Sequence, residues 1–274
     1  MVRWLCWQIG SRLVPGSVAA PFVNGSRLLV SPGMTGATGN VYCGLHEFEE
    51  MSFLLHLLRP EDLFIDVGAN VGSYTVLAGA AIGAECISIE PIPAAYRHLV
   101  ENINLNGIGD KVEARNLGMA RKKGILKFTS GYDTTNRVMN ENEEGVCAAI
   151  EVKVDTLNNI AGDADPVLIK IDVEGFEGEI MEGADQVLSK NSLLAVIMEI
   201  NGSCNRYGHD ETSIRRQMPN YGFSAFRYHP FERRLEGLQG EGGRSQNTLF
   251  VRNLEEVERR LKSAPPFLVK GWEI

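Results

Sequence analysis

Two kinds of segment alternate along this chain: short apolar runs and longer amphipathic stretches. The short runs predict strands buried on both faces, and they span residues 63–67, 85–90, 111–117, 167–173 and 193–200. The stretches between them have apolar residues at helical spacing and lie near residues 73–82, 94–106 and 176–189. Strands that alternate with helices in this way predict a parallel sheet covered on both faces.

Other parts of the chain depart from this alternation. Residues 223–229 and 247–253 follow each other without a helix and predict an antiparallel pair at the end of the sheet. Residues 124–157 interrupt the alternation and predict extra strands or a loop inserted over one rim. Residues 24–44 are rich in Gly, Ser and Thr and predict small strands and turns.

The resulting fold class is α/β, with a doubly wound, mostly parallel sheet. Before the first strand, a helix is predicted that Pro60 ends. We divide the chain into an N-terminal extension of helix and small strands at 1–45, a main domain at 46–253 with the insertion 124–157, and a C-terminal helix and tail at 254–274. Ligands of such sheets bind outside the carboxyl ends of the strands.

Composition narrows the class of partner and compartment. The chain has 274 residues, of which 44% are hydrophobic, and a net charge of −8, which disfavours a nucleic-acid partner. Its five cysteines are odd in number and widely spaced, which favours a reducing, cytoplasmic compartment over a disulfide framework. Polar residues interrupt the apolar start of the chain, so we expect no signal peptide and no stable membrane insertion, only a segment that packs on the domain or lies against a membrane surface.

The first candidate for chemistry is the stretch LFIDVGANVGSYT at residues 63–75. Gly68 and Gly72 directly follow a buried strand, where glycine permits a tight turn and close approach of a ligand to main-chain N–H groups. The stretch matches neither the dinucleotide pattern G-x-G-x-x-G nor a phosphate loop ending in GK[ST]. Asp66 beside it would repel a phosphate but suits an ammonium or a sulfonium group.

The second predicted strand ends on another acid, Glu90, twenty residues after Asn70. A carboxylate at this place can accept hydrogen bonds from both hydroxyls of a ribose. Pro91 and Ile92 follow and offer an apolar surface to a flat adenine. An adenine nucleoside with a cationic tail is S-adenosylmethionine, which we therefore predict as the cofactor.

Six segments in the same order resemble the FkbM-type S-adenosylmethionine-dependent methyltransferases. They are GLHEFEE (44–50), DVGANVGSYT (66–75), ISIEPIP (87–93), ENINLNG (101–107), LIKIDVEGFEGEIMEGA (168–184) and VIMEING (196–202). The resemblance implies a seven-stranded Rossmann-like sheet with a reversed last strand. It also implies methyl transfer, usually to a hydroxyl oxygen of a sugar or natural product.

The resemblance also implies roles for individual residues. The cofactor loop corresponds to Asp66, Gly68, Asn70, Gly72 and Thr75, and the ribose acid corresponds to Glu90. After the third strand, the family often has a small residue and then an acid, whereas this chain reads Gly-Met-Ala-Arg at residues 118–121. We take Leu117, just before this departure, as the candidate for the contact with the adenine edge.

Candidate catalytic residues lie at the ends of the fourth and fifth predicted strands. Lys170, Asp172 and Glu174 share one face of their segment, and Glu199 lies at the same level on the next strand. Because unpaired buried charge is costly, Lys170 is expected to pair with Asp172 or Glu199. Asp172 and Glu174 are candidates for a base or acceptor-positioning acid, with Glu199 as a third catalytic candidate. Capping of the following helix is the alternative role for Asp172 and Glu174.

Further assignments remain open at this stage. Asp172, Glu199 and Asn201 could hold Mg²⁺ or Ca²⁺, an arrangement similar to catechol O-methyltransferases, although a nearby Lys170 disfavours it. His209 could act as a base or be a solvated loop residue. The polar and aromatic residues 132–137 of the insertion suit either sugar binding or a plain rim loop.

The favoured function is O-methylation, dependent on S-adenosylmethionine, of a small-molecule or carbohydrate acceptor. One alternative is an NAD-dependent oxidoreductase on a related sheet, which the glycine spacing disfavours. A second alternative is a non-catalytic protein of the same fold that binds the cofactor or a partner. The sequence determines neither the acceptor nor the oligomeric state.

Overall fold

The computed structural model describes residues 16–31, 33–131, 136–140, 148–238 and 247–274. The expectation for the start of the chain lies outside these residues at positions 1–15. Four of the six sugar-binding candidates in the insertion, residues 132–135, also lie outside them.

The N-terminal region forms a hairpin and two helices. Strand β1 (Val18–Pro21) pairs antiparallel with β2 (Arg27–Val30), and helices α1 (Thr35–Cys43) and α2 (Phe48–Leu57) follow. The prediction of strands and turns was wrong for the stretch that forms α1. Its small residues serve packing, because Ala37 is buried against the hairpin and a Cβ at Gly39 would lie 2.5 Å from the His46 ring. Such contacts stabilise a helix in a stretch whose own preference for helix is weak.

The central region alternates strands and helices as the sequence predicts. In chain order it contains β3 (Leu63–Val67), α3 (Ser73–Val76) with a π-helical continuation (Leu77–Ile82), β4 (Glu85–Ile89), α4 (Pro93–Asn106), β5 (Val112–Arg115), β6 (Gly118–Met119), β7 (Gly124–Thr129), β8 (Ala149–Asp155), α5 (Leu157–Ala161), β9 (Pro166–Ile171), α6 (Glu177–Met181), α7 (Asp185–Leu188) and β10 (Ala195–Glu199).

The C-terminal region completes the sheet and contributes a helix to each of its faces. It contains a 3₁₀ helix (Ser203–Tyr207), α8 (Glu211–Gln217), a second 3₁₀ helix (Met218–Tyr221), β11 (Ser224–His229), β12 (Arg234–Gly237), β13 (Asn247–Val251), α9 (Leu254–Ser263), β14 (Leu268–Val269) and β15 (Trp272–Glu273).

The main sheet has the order β12-β11-β13-β10-β9-β3-β4-β5 in the described part of the chain. Strands β10, β9, β3, β4 and β5 pair in parallel, whereas β13 is antiparallel to both β10 and β11. The predicted reversed last strand is therefore confirmed, and it lies between β10 and β11. The sheet has one more strand than predicted, because β12 pairs with β11 at the edge. Leu235 is the only buried residue of β12, so no apolar run marks this strand.

Two hydrophobic clusters cover the two faces of this sheet. Neighbouring residues of β3 point to opposite sides, with Phe64 in the cluster that contains α2 and α9, and Ile65 in the cluster that contains α5 to α8. This doubly covered arrangement is the one that the apolar strand pattern predicts. None of the described helices is long and apolar enough to cross a membrane.

Strands β7 and β8 of the insertion form a small separate sheet with β6, which precedes the insertion. Its buried residues Phe128, Val138 and Val152 pack with Ile92 and Phe176, which follow β4 and β9. Of the two predicted forms, extra strands are therefore the one observed, and they cover the rim of the main sheet where β4 and β9 end.

Candidate functional site

One pocket of about 280 Å³ opens at the carboxyl ends of β3, β4, β9 and β10. It brings together nine of the twelve residues singled out from the sequence as site residues, namely Asp66, Gly68, Asn70, Glu90, Pro91, Ile92, Asp172, Glu174 and Glu199. Gly72, Thr75 and Leu117 are not among its lining residues. Gly118 and Met119 line it beside Leu117, which instead packs against the core cluster of α5 to α8.

The two glycines of the first loop are required by contacts within the protein. Gly68 has φ +79°, and a Cβ there would lie 1.8 Å from the carbonyl oxygen of Asp172. Gly72 has φ +87°, and a Cβ there would lie 2.6 Å from Cδ1 of Leu99. Positive φ is costly for other residues, and both positions also lack room for a side chain. The loop after β3 can therefore touch the loop after β9.

Glu90 ties the loops after β3 and β4 to each other. Its Oε2 accepts a hydrogen bond from the Asn70 N–H at 2.9 Å, and its Oε1 accepts one from the Ile92 N–H at 2.8 Å. The N–H groups of Gly68 and Ala69 donate to Ile89. These N–H groups therefore donate to other residues of the protein, whereas the sequence analysis predicted that a ligand would approach them. Burial raises the pKa of Glu90 to about 7, although its two main-chain hydrogen bonds oppose this shift.

Asp66 keeps one acceptor free at the floor of the pocket. Thr75 lies behind it and donates from Oγ1 to Asp66 Oδ2 at 2.7 Å. Oδ1 is buried and has no hydrogen-bond partner in the described residues. Burial raises the pKa of Asp66 above its ordinary value, while the charge of Lys170 opposes the shift. A buried acceptor without a partner is costly, so this oxygen suits a donor group on a ligand.

Lys170 pairs with Asp172, one of the two partners that the sequence predicts. Its Nζ lies 2.6 Å from Asp172 Oδ2 and 4.8 Å from the centre of the Tyr74 ring, and only 4% of the lysine is exposed. The Tyr74 hydroxyl donates to Glu47 Oε2 at 2.6 Å. The buried ammonium is thus compensated by a carboxylate and an aromatic face.

Asp172, Glu174 and Glu199 converge where β9 and β10 end. One carboxylate oxygen of each lies within 4.8 Å of the others. Burial, followed by the charges of Asp172 and Glu174, raises the pKa of Glu199 to about 9. Burial, followed by the charges of Asp172 and Glu177, raises the pKa of Glu174 to about 7. Near neutral pH the cluster therefore retains protons that separate carboxylates would lose.

A braced turn presents Glu174 to the pocket. Glu174 has φ +57°, and Gly175 follows with φ +103°. The buried Glu177 accepts hydrogen bonds from the N–H groups of Gly175 at 3.1 Å and Val173 at 3.3 Å. Helix α6 has no side-chain cap, so Asp172 and Glu174 do not have the capping role considered as an alternative.

Two other sequence candidates lie away from the pocket lining. His209 Nε2 lies 3.2 Å from Glu179 Oε1. The exposed Asn201 accepts a hydrogen bond from the Ser203 N–H at 3.0 Å through Oδ1. The Asn201 side chain therefore bonds within its own loop. Glu174 takes the third position beside Asp172 and Glu199 instead.

The sequence did not single out several residues of the pocket wall. They are Glu47, which precedes α2, Tyr74 from α3, and Phe128, Val138 and Phe176 from the insertion and the loop after β9. Glu47 lies within GLHEFEE, one of the segments that resemble the FkbM family. This resemblance was the signal that could have identified Glu47 as a site residue. In the sequence, these apolar residues cannot be told from ordinary core residues. Only the folded structure shows that they line the pocket.

Comparison with known proteins decides the family. The Methyltransferase FkbM domain model matches residues 66–225, which is more than half of the chain. The chain belongs to the FkbM methyltransferase family. The fold is accordingly that of a Rossmann-like methyltransferase, and family membership implies a cofactor of the S-adenosylmethionine type. It also favours a methyltransferase over the oxidoreductase considered from the sequence.

The individual relatives share only about a quarter of their residues with this chain over the matched segments. The hexuronic acid methyltransferase AglP of Haloferax volcanii is 26% identical over 155 residues, covering 57% of this chain and 62% of the relative. Methyltransferase 1 of Beauveria bassiana is 27% identical over 150 residues, covering 46% of this chain and 60% of the relative. The matches thus span less than two thirds of either relative. The crystal structure of an FkbM methyltransferase from Methylobacillus flagellatus KT has a TM-score of 0.47 at 15% identity, covering 71% of this chain and 44% of that one.

Proposed function

We propose that this FkbM-family protein transfers the methyl group of S-adenosylmethionine to a hydroxyl oxygen of a carbohydrate or glycosylated metabolite. The observation that carries the proposal is one pocket lined by two groups of acids from neighbouring strand ends. Asp66 and Glu90 lie where β3 and β4 end, which we call the cofactor end, and Asp172, Glu174 and Glu199 lie where β9 and β10 end, which we call the acceptor end. The hexuronic acid methyltransferase among the relatives supports a sugar acceptor.

The first end of the pocket fits the cofactor. The unpartnered Oδ1 of Asp66 can accept from the ammonium group of the methionine moiety. Each Glu90 oxygen accepts one main-chain hydrogen bond and retains acceptor capacity for a ribose hydroxyl. Pro91, Ile92 and Met119 offer apolar surface to the adenine. When bound, this cofactor supplies an electrophilic methyl group on a sulfonium.

The second end of the pocket can hold and deprotonate a hydroxyl group. A base with a pKa near the working pH is the most effective in proton transfer, and the pKa of Glu174 is raised to about 7. Asp172 is anchored to Lys170 and can orient the acceptor as a fixed hydrogen-bond acceptor. Glu199 retains its proton near neutral pH and can donate a hydrogen bond. Together these groups place the acceptor oxygen and receive its proton.

Labelled cofactor provides the direct test. The purified protein is incubated with methyl-labelled S-adenosylmethionine and size-fractionated extract of its source cells, with and without a chelator. We expect label in a carbohydrate fraction, and we expect Asp172→Asn to lower the transfer rate about 10²-fold while the protein still binds S-adenosylhomocysteine.

Other outcomes separate the alternatives. Label on protein or lipid would keep the methyltransferase activity and overturn the carbohydrate acceptor. Loss of transfer with the chelator would support a cation at Asp172, Glu174 and Glu199. Tight cofactor binding with no transfer to any fraction would favour the non-catalytic alternative.

A further inference from the structure

A short helix borders the acceptor end of the pocket and is anchored to its wall. This 3₁₀ helix, Ser203–Tyr207, begins four residues after Glu199. The Tyr207 ring packs edge-on against Phe176 with ring centres 5.0 Å apart, and the Tyr207 hydroxyl donates to the Val138 carbonyl oxygen at 2.5 Å. Phe176 and Val138 both line the pocket. The backbone position of this helix is therefore set relative to the acceptor site.

Arg206, next to this anchor, carries an exposed guanidinium beside Glu174. Its Nη1 lies 3.5 Å from the main-chain carbonyl oxygen of Glu174. Its positive charge lowers the pKa of Glu174 and so opposes the effect of burial. Arg206 is not itself a lining residue of the pocket and forms no ion pair with a carboxylate among the described residues, whereas Lys170, which lines the pocket, is paired with Asp172.

A second guanidinium acts on the same carboxyl group from the insertion. Arg137 is half-buried, and its charge also lowers the pKa of Glu174. Its backbone is held by Thr129, because Thr129 N–H donates to the Arg137 carbonyl oxygen at 2.9 Å and Arg137 N–H donates to Thr129 Oγ1 at 3.0 Å. Two elements that are distant in sequence thus direct positive charge at the acceptor end.

We infer that the acceptor is a sugar that bears a carboxylate, and that Arg206 binds this carboxylate beside Glu174. This inference rests on the proposed function. The acids at this end of the pocket would repel an anionic acceptor unless a cation compensates its charge. A guanidinium matches a carboxylate through two parallel hydrogen bonds, and Arg206 has donors to offer because its described contact uses only one nitrogen. Arg206 is thus a specificity-determining residue.

Calorimetric titration in the presence of S-adenosylhomocysteine tests this inference without turnover. The probes are D-glucuronate and D-glucuronamide, which differ only at one group, a charged carboxylate in the first and an uncharged amide in the second. We expect wild type to bind glucuronate about 10- to 100-fold more tightly than the amide, the range for a hydrogen bond to a charged group. Arg206→Gln should remove this preference, and Arg206→Lys should restore part of it.

Control measurements exclude a structural effect of the substitution. Arg216 is an exposed arginine in the last turn of α8, outside the helix that carries Arg206, so Arg216→Gln should retain the full preference. Arg206→Gln should bind S-adenosylhomocysteine as wild type does and unfold at the same temperature. In the transfer assay with a carboxylated acceptor, at a pH well above 7 where Glu174 has lost its proton in both proteins, it should raise KM at least tenfold and leave kcat within a factor of about two.

Several results would overturn the inference. They are equal binding of the two probes, no binding of either probe, or an unchanged preference in Arg206→Gln. Methyl transfer to a neutral carbohydrate would contradict the acidic acceptor alone and leave the proposed function intact. A clear preference for glucuronate with no transfer to any acceptor would instead contradict the proposed activity alone.

Discussion

The two ends of the pocket are held together in different ways. At the end formed by β3 and β4, main-chain hydrogen bonds and glycine contacts determine the structure, as Gly68 and Glu90 illustrate. At the end formed by β9 and β10, charged side chains from separate elements converge on Glu174. The comparison indicates that one end is held by close packing and hydrogen bonds between strand-end loops, whereas the other is tuned by electrostatics between charged side chains.

The largest effect is expected when one carbon is added at Gly68, where the two loops of the comparison touch. Gly68→Ala places a Cβ against the Asp172 carbonyl, so the loops after β3 and β9 must separate. We expect a loss of about 4 kcal/mol or more in the free energy of unfolding, since backbone displacement adds to the cost of positive φ. Denaturant unfolding measures it.

Gly107→Ala is the matched control for this substitution. Gly107 also has positive φ, at +64°, but a Cβ there would meet nothing within 4 Å. It should cost only about 1 kcal/mol, the penalty of the backbone conformation by itself. Similar losses at the two positions would show that the loop contact does not matter.

Removal of the proposed base is expected to have the next largest effect. Glu174→Gln retains the shape of the side chain but cannot accept a proton, so kcat for methyl transfer should fall about 10²- to 10⁴-fold. The dissociation constant of S-adenosylhomocysteine should stay within a factor of about three, because Glu174 lies at the acceptor end. In wild type, kcat should rise with pH through about 7 as Glu174 loses its proton.

The exposed Glu182 provides the control for the loss of one carboxylate in this region. It lies at the end of α6 and pairs with Arg121, so Glu182→Gln should transfer methyl groups at the wild-type rate. If Glu174→Gln retains full activity and the same pH profile, the base is another group.

A smaller effect is expected at the cofactor end. Glu90→Gln loses one acceptor and the carboxylate charge, so binding of S-adenosylmethionine should weaken by about 1.5–3 kcal/mol. The control is Glu85→Gln, since Glu85 is exposed at the start of the same strand. Equal dissociation constants for wild type and Glu90→Gln would remove Glu90 from the cofactor site.

The smallest effect, in the pH dependence of stability, sharpens the comparison at the acceptor end. Glu199 has its pKa raised to about 9 in the folded protein, so its proton stabilises the fold at low pH and this contribution is lost as pH rises through about 9. Between pH 7 and 9, wild type should therefore lose more stability than Glu199→Gln, in which the amide resembles the protonated acid. Parallel stability curves for the two proteins would contradict the raised pKa.

Local sequence patterns were sufficient wherever a segment is determined by its own periodicity. The apolar run at 63–67 coincides with β3, and the apolar runs also locate β4, β9 and β10 to within a few residues. The order of acids and glycines around residue 68 led to the family that the domain match confirms. The carboxyl ends of parallel strands meet at one edge, so Asp66, Glu90 and Asp172 could be grouped before any contact was known.

Tertiary structure decided the features that depend on contacts between distant segments. Helix α1 forms from a glycine-rich stretch because its small residues fit against the hairpin and His46. Gly68 is needed because of Asp172, a residue of another strand-end loop. The raised pKa values of Glu174 and Glu199 and the place of Arg206 beside them likewise require segments that meet only in the folded chain. Sequence alone determines periodicity and local turns, whereas burial and the distances between charges exist only after folding.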